Sequence, residues 1–228
     1  MNLIGVECQV VDDAAAVAET AARLILTQAR AAIAERGWFR LVLAGGTTPA
    51  VTYRLLASET ADGSAWHVYH GDERCLPRDD AERNSLVAEQ IWLHRVAIPP
   101  AQVHAIPAEL GAEPAAEVYS PLVAAALPFD LVLLGMGEDG HTASLFPGRE
   151  IPSEPLVIPV HDAPKAPPER VSLTPRALCA SARILLLITG AGKREALRRW
   201  QAGEPLPIAQ VAAAGNTMAL LDRAAASA

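Results

Sequence analysis

The sequence predicts an α/β fold, a mostly parallel sheet with helices on both faces. Three observations predict it. Short apolar runs of strand length alternate with stretches of helical periodicity along the 228 residues, the pattern of βαβ units. The runs are apolar enough to be covered on both faces, as parallel strands are. Glycines and then polar residues follow them, so the carboxyl ends of the strands hold the unusual side chains, where an open parallel sheet binds ligands.

The elements follow in order. From Asp13 to Arg36, Val17, Leu24, Ile25 and Ile33 recur at helical spacing, and Gly37 ends the helix. Phe39 to Leu43 is a strand halted by Gly45 and Gly46, with Thr48 expected to cap the next helix and Pro49 to take its first position. Trp66 to Tyr69 is a strand entering Gly71-Asp72-Glu73-Arg74, with a helix expected from Glu82 to His94. Another helix, broken or ended near Pro121, precedes the most apolar strand, Phe129 to Leu134. Pro147 to Pro168 carries seven prolines and little periodicity, and is expected to be a long stiffened loop. Ile184 to Ile188 is a buried strand, broken by Gly190-Ala191-Gly192 and continued as a helix from Lys193 to Trp200. The Ala-rich tail after Arg223 is expected to fray. Nothing between these elements resembles a long polar linker, so residues 1–228 are expected to form one domain.

Composition narrows the function. Half of the residues are apolar and 20% are charged, which is ordinary globular composition. A formal charge of -7 and the lack of any basic run argue against nucleic acid. An anionic ligand would therefore depend on a few local cations and backbone dipoles. Cys8, Cys75 and Cys179 are odd in number and form no CxxC pair, which fits a reduced cytoplasm and excludes a thiolate metal site. The first residues lack a basic segment before an apolar one, and no apolar run approaches membrane-spanning length, so neither secretion nor a membrane location is expected.

Four loops carry the chemistry. Ala44-Gly45-Gly46-Thr47-Thr48-Pro49 reads either as a phosphate cradle at a helix N-terminus or as an ordinary strand-to-helix turn. Asp72-Glu73-Arg74 is either a solvated charged turn or a place where Arg74 meets a phosphate or carboxylate. Gly135-Met136-Gly137-Glu138-Asp139-Gly140 has dinucleotide-binding spacing, but Glu138 and Asp139 would repel a pyrophosphate, and that reading is rejected. The same loop sets Asp139 beside His141, an acid able to orient an imidazole whose pKa suits proton transfer. Gly190-Ala191-Gly192-Lys193 is not a P-loop, since no Gly stands five positions before Gly192 and Arg194 replaces the Ser or Thr. Lys193, at a helix start, is either an anion ligand or a solvated lysine; the only other lysine is Lys165.

Other candidates are weaker. Cys75 has no evident activating group, and Ser144 lacks a nucleophile elbow. His67 and His70 fall on opposite faces of a strand, a poor metal site, and no metal or other cofactor is expected.

Taken together, these loops resemble the 6-phosphogluconolactonase family. The match includes Ala44 through Pro49, Gly71-Asp72-Glu73-Arg74, and Phe129-Asp130-Leu131 running on through Gly135-Met136-Gly137-Glu138-Asp139-Gly140-His141-Thr142-Ala143-Ser144-Leu145-Phe146-Pro147. It continues in Arg170-Val171-Ser172-Leu173-Thr174 and Gly190-Ala191-Gly192-Lys193. Departures are small: Ala44 and Thr47 stand where serine is common, Ser172 where threonine is usual, and Arg83-Asn84 where Ser-Asn is usual.

The resemblance implies a Rossmann-like α/β fold shared with glucosamine-6-phosphate deaminase and metal-independent hydrolysis of 6-phosphoglucono-1,5-lactone in the pentose phosphate pathway; a monomer or small homo-oligomer is expected. It implies that His141, oriented by Asp139, activates the attacking water. Arg74 and Lys193 would hold the phosphate, or Arg74 the developing anion. Gly45, Gly46 and Thr47 would supply backbone donors, Thr48 and Asp72 would belong to the same substrate site, and Arg170 would be a further substrate contact. The nearest rival, an aminosugar-phosphate deaminase or isomerase, typically carries an aromatic residue after Asp-Glu and Phe-Asn-Glu-Pro after its histidine. Arg74 and Ser144-Leu145-Phe146-Pro147 stand there instead. A sugar-phosphate-sensing regulator of the same fold would normally add a DNA-binding headpiece, for which no residues are expected to be spare.

Overall fold

The computed structural model describes residues 3, 5–59, 63–152, 154–213 and 216–227. The chain enters through β1 (Val6–Val11) and α1 (Ala14–Arg36). The Asp13 carboxylate accepts from the Ala16 amide at 2.9 Å and caps α1, while Gly37, at φ 85°, closes it left-handedly. There follow β2 (Phe39–Leu43), α2 (Thr47–Glu59), β3 (Trp66–His70), β4 (Asp72–Arg74), α3 (Asn84–Ile91), β5 (Val103–His104), α4 (Ala112–Ala126) and β6 (Phe129–Gly135). The second half holds β7 (Val157–Val160), β8 (Arg170–Leu173), α5 (Pro175–Cys179), β9 (Ser181–Ile188), α6 (Arg194–Gln201), α7 (Pro207–Ala212), β10 (Thr217–Asp222) and α8 (Arg223–Ala226).

Seven strands form one sheet in the order β1-β10-β9-β6-β2-β3-β5, every pair parallel. Alternate residues serve opposite faces. Val42, Val132, Leu134, Ile184 and Leu186 pack with α4, α5 and α7, whereas Leu41, Leu43, Leu131, Leu133 and Leu185 pack with α1, α2 and α3. From β2 the chain moves outward to β3 and β5, then returns to lay β6 on the other side of β2 and moves outward again through β9 and β10. The order therefore reverses between β2 and β6, where a crevice opens beyond their carboxyl ends.

A second, antiparallel sheet, β4-β8-β7, stands beside that crevice. Asp72-Glu73-Arg74 is thus a strand and not a turn, because β8 supplies the ladder that a charged triplet could not form alone. The proline-rich segment also differs from a plain loop. It contains β7, whose Pro159 is tolerated because β7 is an edge strand.

Several boundaries shift for local reasons. α2 starts two residues earlier than expected, at Thr47 and not Pro49, with Gly46 at φ 109° making the turn and its carbonyl accepting from Ala50. Thr48 is therefore no cap; it is buried, with its hydroxyl 2.7 Å from that of Thr189. α3 starts at Asn84 because the Glu73 carboxylate accepts from the Asn84 and Ser85 amides, each at 2.8 Å. It stops at Ile91, before a 3-10 turn over Leu93–Arg95. α4 runs through Pro121, held by its buried face of Tyr119, Val123 and Ala126. Lys193 ends a 3-10 turn, Ala191–Lys193, and α6 follows it. The tail is ordered as α8 by the Asp222 carboxylate, which accepts from the Ala225 amide at 2.7 Å; Ala228 lies outside the described residues.

Candidate active site

The loops after β2, β3, β6 and β9 meet at the reversal point and, with residues 165–170, enclose a cleft of about 300 Å³. Gly45, Gly46, Asp72, Arg74, His141, Arg170 and Lys193 all line it. Asp139 stands behind His141, Thr48 ties the β2 loop to the β9 loop, and Thr47 faces an adjoining cavity that shares Gly45, Gly46 and Arg74.

The β6 loop builds a histidine-carboxylate pair. Its backbone folds back on itself, the Gly137 amide donating to the His141 carbonyl at 2.8 Å and Gly140, at φ 89°, donating to Gly137. A side chain at Gly137 would have its Cβ 2.0 Å from His141 Nδ1, so only glycine leaves room for the ring. His141 Nδ1 lies 2.5 Å from Asp139 Oδ1, which also accepts from the His141 amide. Nδ1–H is the donor to a carboxylate, which leaves Nε2 as the basic nitrogen. Burial lowers the His141 pKa and outweighs the opposing pull of Asp139; the Lys165 ammonium lowers it further. For Asp139, burial acts upward, but the hydrogen bond and charge of His141 win and hold the carboxyl below its ordinary range. The imidazole is therefore neutral, and able to take a proton, at near-neutral pH.

Opposite this pair, β4 and β8 present Asp72, Arg74 and Arg170. The buried Asp72 carboxylate accepts from Ser144 Oγ at 2.6 Å and from Asn84 Nδ2 at 3.3 Å, and burial raises its pKa. Ser144 is thus committed to Asp72. Arg74 donates to the Glu82 carbonyl, and its Nε is buried without a hydrogen-bond partner. Behind them Glu73, fully buried, pairs with buried Arg83 at 3.2 Å. The Arg83-Asn84 departure from the family's pattern is therefore structural at Arg83. Asn84 comes so close that a Cβ on Gly45 would lie 2.1 Å from its Oδ1.

Lys193 is half-buried, which lowers its pKa against the raising effect of Glu138. Its loop is fixed from the neighbouring strand, the Gly190 amide donating to both Asp222 oxygens at 3.0 Å. Lys165, from the proline-rich segment, also lines the cleft. The motifs carry no sign of Lys165 or Asp222, and Asn84 shows only as the retained asparagine of the family's Ser-Asn pair; the use of lysine at only two positions is the one hint to Lys165.

The remaining candidates stand apart. Burial, then Glu169, pushes the Cys75 thiol up to about 11, far from a thiolate. Burial lowers His70 to about 4, and among the described residues no three His, Cys, Asp or Glu side chains gather as a metal site.

A histidine-carboxylate pair facing clustered cations, at the reversal point of a parallel sheet, defines a class: an α/β enzyme acting on small anionic substrates. The chain belongs to the family described as glucosamine-6-phosphate isomerases/6-phosphogluconolactonase, whose model matches residues 12–219.

Relatives agree in sequence and shape. A 6-phosphogluconolactonase of Mycobacterium leprae is 35% identical over 238 residues, 96% of each chain. A probable chloroplastic 6-phosphogluconolactonase of Oryza sativa is 38% identical over 202 residues; the alignment spans 80% of this chain and only 62% of that longer relative. The crystal structure of a 6-phosphogluconolactonase from Thermotoga maritima matches with TM-score 0.88 at 30% identity, covering 96% of this chain and 100% of that one. A monomeric glucosamine-6-phosphate deaminase matches with TM-score 0.84 at 25% identity, covering 97% and 99%. No helix among the described residues is long and apolar enough to cross a membrane.

Proposed function

We propose that the chain hydrolyses 6-phospho-D-glucono-1,5-lactone to 6-phospho-D-gluconate, a step of the pentose phosphate pathway. The observation that carries this reading is the 2.5 Å contact between Asp139 and His141 Nδ1 in a cleft that also presents Arg74, Arg170 and Lys193. Asp139 fixes the ring so that Nε2 takes a proton from water as its oxygen attacks the lactone carbonyl. The developing oxyanion is held by Arg74 or by amides of the glycine loop. Collapse of the tetrahedral intermediate breaks the bond to the ring oxygen, and His141 returns the proton to that leaving oxygen. Lys193, the Gly46 and Thr47 amides and the α2 N-terminus hold the phosphate. No covalent intermediate and no metal enters this scheme.

The wider reading takes residues 1–228 as one domain, working as a monomer or small homo-oligomer in the cytoplasm, where Cys8, Cys75 and Cys179 stay free thiols. One experiment tests the activity: lactone consumption, corrected for spontaneous hydrolysis, run beside ammonia release from glucosamine 6-phosphate. Enzyme-dependent lactone loss without ammonia supports the lactonase; the reverse transfers the site to the deaminase branch.

A further inference from the structure

The segment 165–167 has an anchor of its own. Arg170, only 6% exposed, donates from Nε to the Pro167 carbonyl at 2.9 Å and from Nη2 to the Lys165 and Ala166 carbonyls, both at 3.0 Å. Its guanidinium also lies 5.8 Å from the Phe146 ring centre, and Phe146 stands 4.9 Å from the His141 ring. A buried guanidinium spending its planar fork on three consecutive carbonyls fixes where that segment lies. Of the three residues clasped, only Lys165 carries a functional side chain, and it lines the cleft.

Composition says the same. Of 19 basic residues in a chain of net charge -7, just two are lysine, and both Lys165 and Lys193 line this one cleft. The Lys165 charge is felt at both His141 and Lys193, lowering each. Two ammonium groups held this close repel, and an anion between them would offset the cost.

We propose that Lys165 is a second ammonium for the phosphate of the substrate, and that Arg170 is a positioning residue that presents it by clasping the carbonyls of residues 165–167. The inference deepens the lactonase reading and rests on it for the substrate. It also revises the role of Arg170, from a contact to a residue that acts through Lys165.

The test is a double-mutant cycle over Lys165→Ala and Arg170→Ala, with phosphorylated and unphosphorylated gluconolactone as substrates. Lys165→Ala should raise KM for the phosphorylated lactone about tenfold or more, the effect of losing one charged partner. At a pH above the acid limb of His141, its kcat and the kcat/KM of the unphosphorylated lactone should stay within about twofold, and Lys165→Arg should recover most of the loss. Arg170→Ala should give a similar loss alone and little more in the Lys165→Ala background, because residues acting as one unit are not additive. If Arg170→Ala does not fold, Arg170→Lys serves, keeping the charge while losing the fork. An unchanged KM in Lys165→Ala overturns the lysine assignment; additive losses overturn the clasp and make Arg170 a direct contact. If the wild type hydrolyses neither lactone, the lactonase reading fails separately. Titration of wild type and Lys165→Ala with inorganic phosphate then decides: weaker binding by the variant supports Lys165, and equal binding removes it.

Discussion

Arg74 and Arg170 stand directly opposite each other in the antiparallel ladder of β4 and β8, two cations facing one cleft. Like charges in that relation are destabilising, and here Asp72, whose charge couples to both, offsets part of the cost. The same strain makes the pair responsive to an anion. Arg74→Met should leave folding stability within about 1 kcal/mol, since it removes both the repulsion and one bond to the Glu82 carbonyl. It should raise KM for the phosphorylated lactone by at least about tenfold. Thermal unfolding with and without 6-phosphogluconate checks this: the ligand should raise the wild-type Tm and move that of the variant far less.

His141→Asn should keep the fold and lower turnover by roughly 10²- to 10⁴-fold, the range for losing a positioned general base. The acid limb of kcat/KM should lie below the ordinary histidine value of 6.5, because burial lowers the pKa of a base that works neutral. Asp139 pulls that pKa upward. Asp139→Asn should therefore move the limb to still lower pH while the plateau falls through lost orientation. A limb that moves to higher pH in Asp139→Asn would mean that another group titrates.

Gly137→Ala tests the geometry without touching either partner. Its Cβ would stand 2.0 Å from His141 Nδ1 and 2.5 Å from Asp139 Oδ1, so the pair must part. Gly137 is not among the positive-φ residues, so the backbone itself tolerates alanine. Turnover should fall at least as far as in Asp139→Asn, with an unchanged circular dichroism spectrum; near-normal turnover would separate the contact from the chemistry.

How much of this was legible follows from where the signals lie. β2, β3, β6 and the latter part of β9 could be read directly, because apolar runs of strand length ended at glycines, and the four site loops followed from those ends. β4 read as a charged turn, since its partner β8 is about a hundred residues away in sequence and the burial of Glu73 has no local sign. β1 is an edge strand with half of its residues exposed, and β10 sits among alanines that favour helix, so neither announced itself. Lys165 lies in a segment without periodicity, and the bonds from Arg170 to its carbonyl and to that of Ala166 have no local sign in the sequence.

Lys193→Ala should raise KM for the phosphorylated lactone by roughly one to two orders of magnitude and leave unphosphorylated gluconolactone unaffected. Comparison of kcat/KM for the two lactones checks the role: an equal loss on both would place Lys193 at the reacting carbonyl.

The buried pair behind the site makes the last prediction. Glu73 and Arg83 are 0% and 1% exposed in their side chains and lie 3.2 Å apart. Their other partners are unequal. The Glu73 carboxylate also accepts from the Arg74, Asn84 and Ser85 amides, so it caps the first turn of α3 from β4, beside the bonds that Asn84 Nδ2 makes to Asp72. Arg83 keeps a second carboxylate, Glu109 at 3.1 Å, and donates to the Leu76 and Ile106 carbonyls. Glu73→Gln turns one acceptor oxygen into a donor facing amides and leaves Arg83 less neutralised. It should cost about 3 to 5 kcal/mol, the range for breaking a buried pair from one side. Arg83→Met should cost less, because the carboxylate retains three N–H donors and the carbonyls lose only neutral-acceptor bonds. Urea unfolding of both variants gives the order. Glu73→Gln should also raise KM, since Asp72 and Arg74 flank it on β4, whereas Arg83→Met should leave KM within about twofold, as a substitution away from the site that changes stability alone. If Arg83→Met proves the more destabilising, ion pairing and not the capping of α3 is what holds β4 at the cleft.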